Sequence, residues 1–478
     1  MNLYKPYLIL IFLLASTLIC NAKLKFDDVI GLGLNVLVIE TENDEIPSCE
    51  YVDAPDGSIG KGITNATKVS GSLSIFSPAG DILYESGPYL QGESGMTIKI
   101  RGNTSAYASK KPYKIKLQKK DDLLFRDNKD LIDKNWVLLN DNQLKLHLGF
   151  ELSRILEEDW TPQGQYVNVI INNEYKGLYY LVESIEQNEK ARINVSGSGF
   201  IVEHDAYWWN ENGAYLLSKF NPLLNYTFKY PDYEDISYGS LKKTESTLRD
   251  YEESLAEGTY PELIDIDSFA KWIMGHDILG TQDGGGANLY LSKYDDSPSS
   301  LIKAGPLWDF DTIELNEDQW SGPHTAMVRF DSFFVSKDTP FMKSYLNLWN
   351  AKGEEIYEGI LDVLEDLKDS EKWEGYKASS TATSLYVLWG PAVDPVEVAE
   401  TSRQWFEDRF GWLKSQLEDF QGSSDDAGIG DTVAYPDLRP KDVYNLQGVK
   451  IISNASPEQI RTLKTGVYII GEAKVFIK

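Results

Sequence analysis

Two periodicities divide the chain. Short apolar runs and strict alternation dominate its first two hundred residues, and apolar positions three and four apart dominate the stretch after them. The first pattern predicts strands at about 35–40, 71–77, 96–100, 110–117, 135–139 and 200–203, with a hairpin at 166–171 and 177–183 turning at Asn172-Asn173. In the run Lys110-Lys-Pro-Tyr-Lys-Ile-Lys-Leu117, Tyr113, Ile115 and Leu117 share one face and Lys114 and Lys116 the other. One face is therefore core and the other cationic. The second pattern predicts helices at 141–158, with Asp141 as cap, and at 241–257. It also predicts one capped by Asp267-Ser268 and running through Trp272 to Leu279, and two more at 355–373 and 396–420. Beyond a Gly/Ser/Asp linker at 421–442, strands recur over 443–478.

The fold class is therefore α+β: a β-rich N-terminal lobe over about 33–205, a helical C-terminal lobe over about 236–420 and a small β module at the C-terminus. With 478 residues, 42% of them hydrophobic and 12% aromatic, the chain can bury a large core. A formal net charge of −28 argues against nucleic acid as partner, because phosphate backbones require clustered Lys and Arg. Residues 1–22 read as a signal peptide, with Lys5 in a positive start, an apolar core at 7–19 and the small-residue site Cys20-Asn21-Ala22. The expected product is secreted or held at the cell surface, with no transmembrane segment after cleavage. Cleavage after Ala22 leaves Cys49 as the single cysteine, so stability must come from packing.

Candidate chemistry concentrates between Phe269 and Leu315. Asp283 is followed by three glycines and Asn288, then by the apolar run Leu289-Tyr-Leu291 and the cluster Trp308-Asp309-Phe310-Asp311. Carboxylate and amide oxygens flanking a short hairpin can hold magnesium, and the glycines allow close backbone approach to a ligand. The competing reading is an ordinary Asp-Gly turn. It suits Asp283 and Asn288 better than Asp309 and Asp311, since carboxylates seldom enter apolar surroundings without a cation. Arg101-Gly-Asn-Thr-Ser105 is a donor-rich loop suited to covering phosphates, and Lys114 and Lys116 are either a solvated strand face or phosphate contacts. Glu183 ends an apolar strand where a linker between lobes would meet a nucleotide base, and Glu151 is either solvent-facing or a lysine partner. His276 reads as a core histidine, and the Trp/Tyr/Asn-rich stretch 207–235 as packing or as an insertion over the site.

Taken in order, the Arg101 loop, the Lys110 to Leu117 strand, Gly177-Leu-Tyr-Tyr-Leu-Val-Glu183, Asp283 to Asn288 and Trp308-Asp-Phe-Asp311 resemble the CotH kinase family over roughly residues 33–415. The resemblance implies an atypical two-lobed protein-kinase-like fold. It implies an enzyme that binds ATP with magnesium, or manganese, and phosphorylates Ser or Thr of an exported or surface protein. Carried over, Asp283 is the catalytic base, Asn288 and Asp309 are metal ligands with Asp311 a further candidate, and Lys114 or Lys116 is the nucleotide lysine, Lys111 also being within reach. Arg101 and Glu183 complete the nucleotide site. The tail resembles C-terminal sorting modules of secreted proteins in Bacteroidetes, which implies secretion machinery as a partner. A catalytically inactive kinase-like surface binding protein is the alternative. A glycoside hydrolase pairing Asp283 with Asp309 gives no role to Asn288 or the lysine face.

Overall fold

A computed structural model describes residues 23–56, 58, 60–140, 144–210, 214–219, 224–281, 288–310, 328–422, 441–444, 450–455, 466–470 and 473–477. A short helix α1 (Phe26–Ile30) leads into strands β1 (Val36–Thr41), β2 (Glu50–Asp53), β3 (Lys61–Thr64), β4 (Val69–Phe76), β5 (Ile82–Glu85), β6 (Met96–Ile100), β7 (Tyr113–Asp121) and β8 (Asp133–Leu139). Helix α2 (Lys145–Ile155) precedes the hairpin β9 (Gly164–Ile171) and β10 (Glu174–Glu183). The order β1-β9-β10-β8-β7-β6-β4 closes on itself, because β1 pairs antiparallel with β4 as well as parallel with β9. The N-terminal region is thus a closed seven-stranded barrel with β5 at its margin. Alternation explains its filling. Ile98, Tyr113, Ile115, Leu117, Trp136, Leu138, Tyr179 and Leu181 belong to one buried cluster inside it.

The outer faces of β8, β9 and β10 carry Val137, Tyr166, Tyr180 and Val182 into a second, larger core. That core is shared with α2, with a sheet of β11 (Phe200–Asp205), β12 (Tyr215–Leu216), β13 (Asn225–Tyr230), β14 (Leu289–Lys293) and β15 (Ile302–Ala304), and with the later helices. The sheet order is β12-β13-β11-β14-β15, all antiparallel. The helices are α3 (Tyr238–Glu257), α4 (Ile266–Leu279), α5 (Pro340–Asp366), α6 (Glu374–Ala382) and α7 (Pro395–Gly422). Four further strands, β16 (Lys441–Tyr444), β17 (Lys450–Ala455), β18 (Gly466–Ile470) and β19 (Ala473–Ile477), form a separate sheet. The mixed α+β class is as expected. No helix among the described residues is long and apolar enough to cross a membrane.

Two boundaries differ from the sequence expectation for physical reasons, and a third falls outside the described residues. The cap of α4 is Asp265, whose carboxylate accepts the Ser268 N–H at 3.2 Å, and Asp267 lies in the first turn. Helix α5 starts fifteen residues before the expected 355, at Pro340, behind a Thr339 cap. Its early turns bury Phe341, Met342, Tyr345 and Trp349, a face that continues the stripe of Ile356, Ile360 and Leu364. Helix α2 is described from Lys145, and Asp141, its expected cap, lies outside the described residues.

Candidate functional site

The strand alternation that fills the barrel also decides which charged side chains leave it. Tyr113, Ile115 and Leu117 point inward, so Lys114 and Lys116 emerge on the outer face of β7. There they line a cleft of about 1740 Å³ between the barrel wall and the sheet built on β11. Lys99 on β6 stands directly opposite Lys114 in the strand register, and Lys68 and Arg101 line the same wall. Cations gathered along one wall suit an anionic ligand.

Lys114 is held. Its ammonium lies 2.7 Å from Glu186 Oε1, which also accepts the Ser184 hydroxyl at 2.9 Å, while Glu186 Oε2 accepts Asn135 Nδ2 at 2.5 Å. Behind Glu186 the buried guanidinium of Arg192 lies 3.9 Å from the same carboxylate. Lys116 is exposed at the cleft. Lys111 turns elsewhere, its ammonium bonding to the Tyr51 hydroxyl and, at 2.9 Å, to the Ala106 carbonyl. The sequence did not single out Glu186, because it follows β10 with no local pattern.

The opposite wall is acidic. Glu203 and Asp205, two apart on β11, both line the cleft beside Asn288, Tyr290 and Asp309. Glu203 Oε2 pairs with Lys229 at 2.9 Å, and its Oε1 accepts the Asn288 N–H at 3.4 Å. Asp205 accepts the Tyr207 N–H at 2.7 Å and the Thr227 hydroxyl at 3.3 Å. Burial drives the Tyr290 hydroxyl well above its usual range, with Glu203 adding to the effect and Lys229 and Arg101 opposing it. The run Phe-Ile-Val-Glu-His-Asp held the signal for Glu203 and Asp205: two carboxylates in i, i+2 spacing on a strand share a face.

Asn288 and Asp309 both have left-handed backbones, with φ of 61° and 64°. Asn and Asp are the residue types that take this conformation most readily after glycine. Asp309 is flanked by anchors. Trp308 is 4% exposed and Phe310 is fully buried, with their ring centroids 6.0 and 6.2 Å from that of Phe150 on α2. Asp283 and Asp311 lie outside the described residues.

The donor Arg101-Gly102-Asn103-Thr104-Ser105 lines the cleft and is tied to the aromatic segment that follows β11. The Thr104 and Tyr207 hydroxyls are 3.0 Å apart, and Asn210 Nδ2 donates to the Ile63 carbonyl at 2.6 Å and to Asn103 Oδ1 at 3.3 Å. Residues 207–210 therefore brace the phosphate-loop candidate.

Glu183, like Lys111, is a described candidate that the structure does not bring to the cleft. It shares a β10 face with Tyr179 and Leu181, which fill the barrel, so the same alternation turns its carboxylate inward. It is 1% exposed, pairs with Arg126 at 2.8 Å and accepts the Gln163 N–H at 3.0 Å. Glu151 pairs with Arg154 of its own helix. His276 is buried against Trp272 at 4.4 Å between centroids, and burial pushes its imidazole down to about 3.

Among the described residues no group of three or more His, Cys, Asp or Glu forms a metal cage. The oxygen donors of Asn288, Asp309, Glu203 and Asp205 on one cleft nevertheless suit a hard cation that keeps several waters. Asn288 and Asp309, the expected ligands, both line this cleft. A comparison with protein-family models matches residues 98–355, just over half of the chain, to the CotH kinase protein family. No curated protein matches.

Proposed function

The chain belongs to the CotH kinase family, and from that premise we propose that it transfers the γ-phosphoryl group of ATP to a Ser or Thr hydroxyl of an exported or surface protein. The observation that carries this reading is the mixed lining of one cleft. Lys68, Lys99, Lys114 and Arg101 line it together with Asn288, Asp309, Glu203 and Asp205. Phosphoryl transfer requires cations along the phosphates and oxygen ligands for the metal that bridges them, with little covalent work left to the protein.

In this reading Lys114, steadied by Glu186, and Arg101 hold the phosphates, and the loop at 101–105 closes over them. Lys116 extends the cationic wall. Asn288 and Asp309 would hold magnesium or manganese, which neutralises charge as the phosphoryl group moves. Asp283 orients the acceptor hydroxyl and takes up its proton, and Asp311 is a further oxygen donor. Both belong to the reading by family resemblance. Residues 1–22 direct export, and the strands after Lys441 act as a sorting module read by the secretion machinery.

Calorimetric titration of ATP tests the site. Binding that requires magnesium and that is lost in Lys114→Met and in Asp309→Ala supports it. Binding unchanged by either substitution contradicts it.

A further inference from the structure

Asp309 is presented by a backbone segment that α2 and the turn after it hold at several points. On one side Phe310 packs against the bare Cα of Gly149, and on the other Trp308 meets Phe150. The remaining hold is polar. Glu158, three residues beyond the end of α2, accepts the Leu307 N–H through Oε2 at 2.9 Å. Its Oε1 is shut off from solvent and has no hydrogen-bond partner among the described residues. A carboxyl is an unusual occupant of such a place, since desolvating it is costly unless the group performs a task.

We propose that Glu158 is a positioning residue for Asp309: by accepting the Leu307 N–H it fixes the backbone from which the Asp309 side chain enters the cleft. The inference rests on the phosphoryl-transfer reading for its functional half alone. The neighbourhood is consistent with a locating role. Gly305 approaches so closely that a Cβ there would lie 3.3 Å from Glu158 Oε2, and Gly305 donates its own N–H to the Tyr290 carbonyl at 3.0 Å. The segment is thus registered against Glu158 on one side and β14 on the other. Burial pushes the Glu158 carboxyl up to about 8, against the Leu307 N–H and Lys271 and with Asp159. A neutral acceptor of the same shape should therefore serve nearly as well.

That expectation separates positioning from packing. In the full chain, Glu158→Gln keeps the acceptor and Glu158→Leu keeps the volume without it, with Glu158→Ala in reserve should the leucine variant not fold. Hydrogen exchange of the 305–310 peptide, measured without nucleotide or metal, reads the backbone directly, and phosphate transfer reads the consequence. We expect Glu158→Leu to speed exchange at the Leu307 amide about tenfold and to lower kcat by a similar factor, with Glu158→Gln close to wild type in both. Exchange unchanged in Glu158→Leu, or equally raised in Glu158→Gln, would overturn the proposal. Should the wild-type chain transfer no phosphate, the exchange arm still decides the role of Glu158, and the failure belongs to the kinase reading.

Discussion

The ring of Phe310 occupies the space that a side chain at Gly149 would need: a Cβ on that glycine would lie 2.0 Å from the ring. Gly149 sits in the middle of α2, where glycine costs roughly 1 kcal/mol relative to alanine. Helix propensity therefore predicts that Gly149→Ala stabilises, and packing predicts the reverse. Packing should win, because overfilling a tight core costs roughly 1–3 kcal/mol. We expect a lower urea midpoint and, since Phe310 follows Asp309, weaker magnesium-dependent ATP binding.

Lys99 stands opposite Lys114 across β6 and β7 and lines the same cleft. Replacing Lys99 with Thr removes a cation from that wall and should weaken ATP binding. Titration calorimetry with ATP at low and high salt checks this, and affinity unchanged at low salt would mark the row as a solvated face.

Glu186 joins Lys114 to the buried Arg192, so its loss leaves cations on both sides without their shared carboxylate. Glu186→Gln should weaken nucleotide binding by about 1.5–3 kcal/mol, the span of a hydrogen bond to a charged group. Titration calorimetry reads this.

The sequence conveys some of these relationships and not others. Alternation along β7 was enough to place Lys114 and Lys116 opposite Tyr113, Ile115 and Leu117, and the cleft follows from that face. The same rule, applied to β10, assigns Glu183 to the barrel interior, but only once the barrel is known to close. Closure depends on β1 pairing with both β4 and β9, a long-range fact with no local signature. The expected strand ended at 203, short of Asp205, and nothing in the sequence says which face of β11 meets the cleft. Gly149 against Phe310 joins residues 161 positions apart, beyond any periodic pattern.

His276 should make the protein acid-sensitive. Burial lowers its native value to about 3, while the unfolded chain titrates near 6.5. The native form stays neutral where the unfolded form gains a proton, so the contribution is present above pH 6.5 and is lost as pH falls toward 3. The slope contributed approaches about 1.4 kcal/mol per pH unit. Denaturant melts from pH 7 to pH 4 should show a shallower decline in His276→Leu than in wild type.

Transfer of radiolabelled phosphate from ATP by the purified chain after removal of residues 1–22, with magnesium or manganese, tests the central claim most directly. The account predicts labelling of the chain itself or of a generic Ser/Thr substrate, abolished in Asp309→Ala and in Asp283→Asn. No labelling of either under conditions where ATP binds would contradict it and leave a kinase-like surface binding protein in its place.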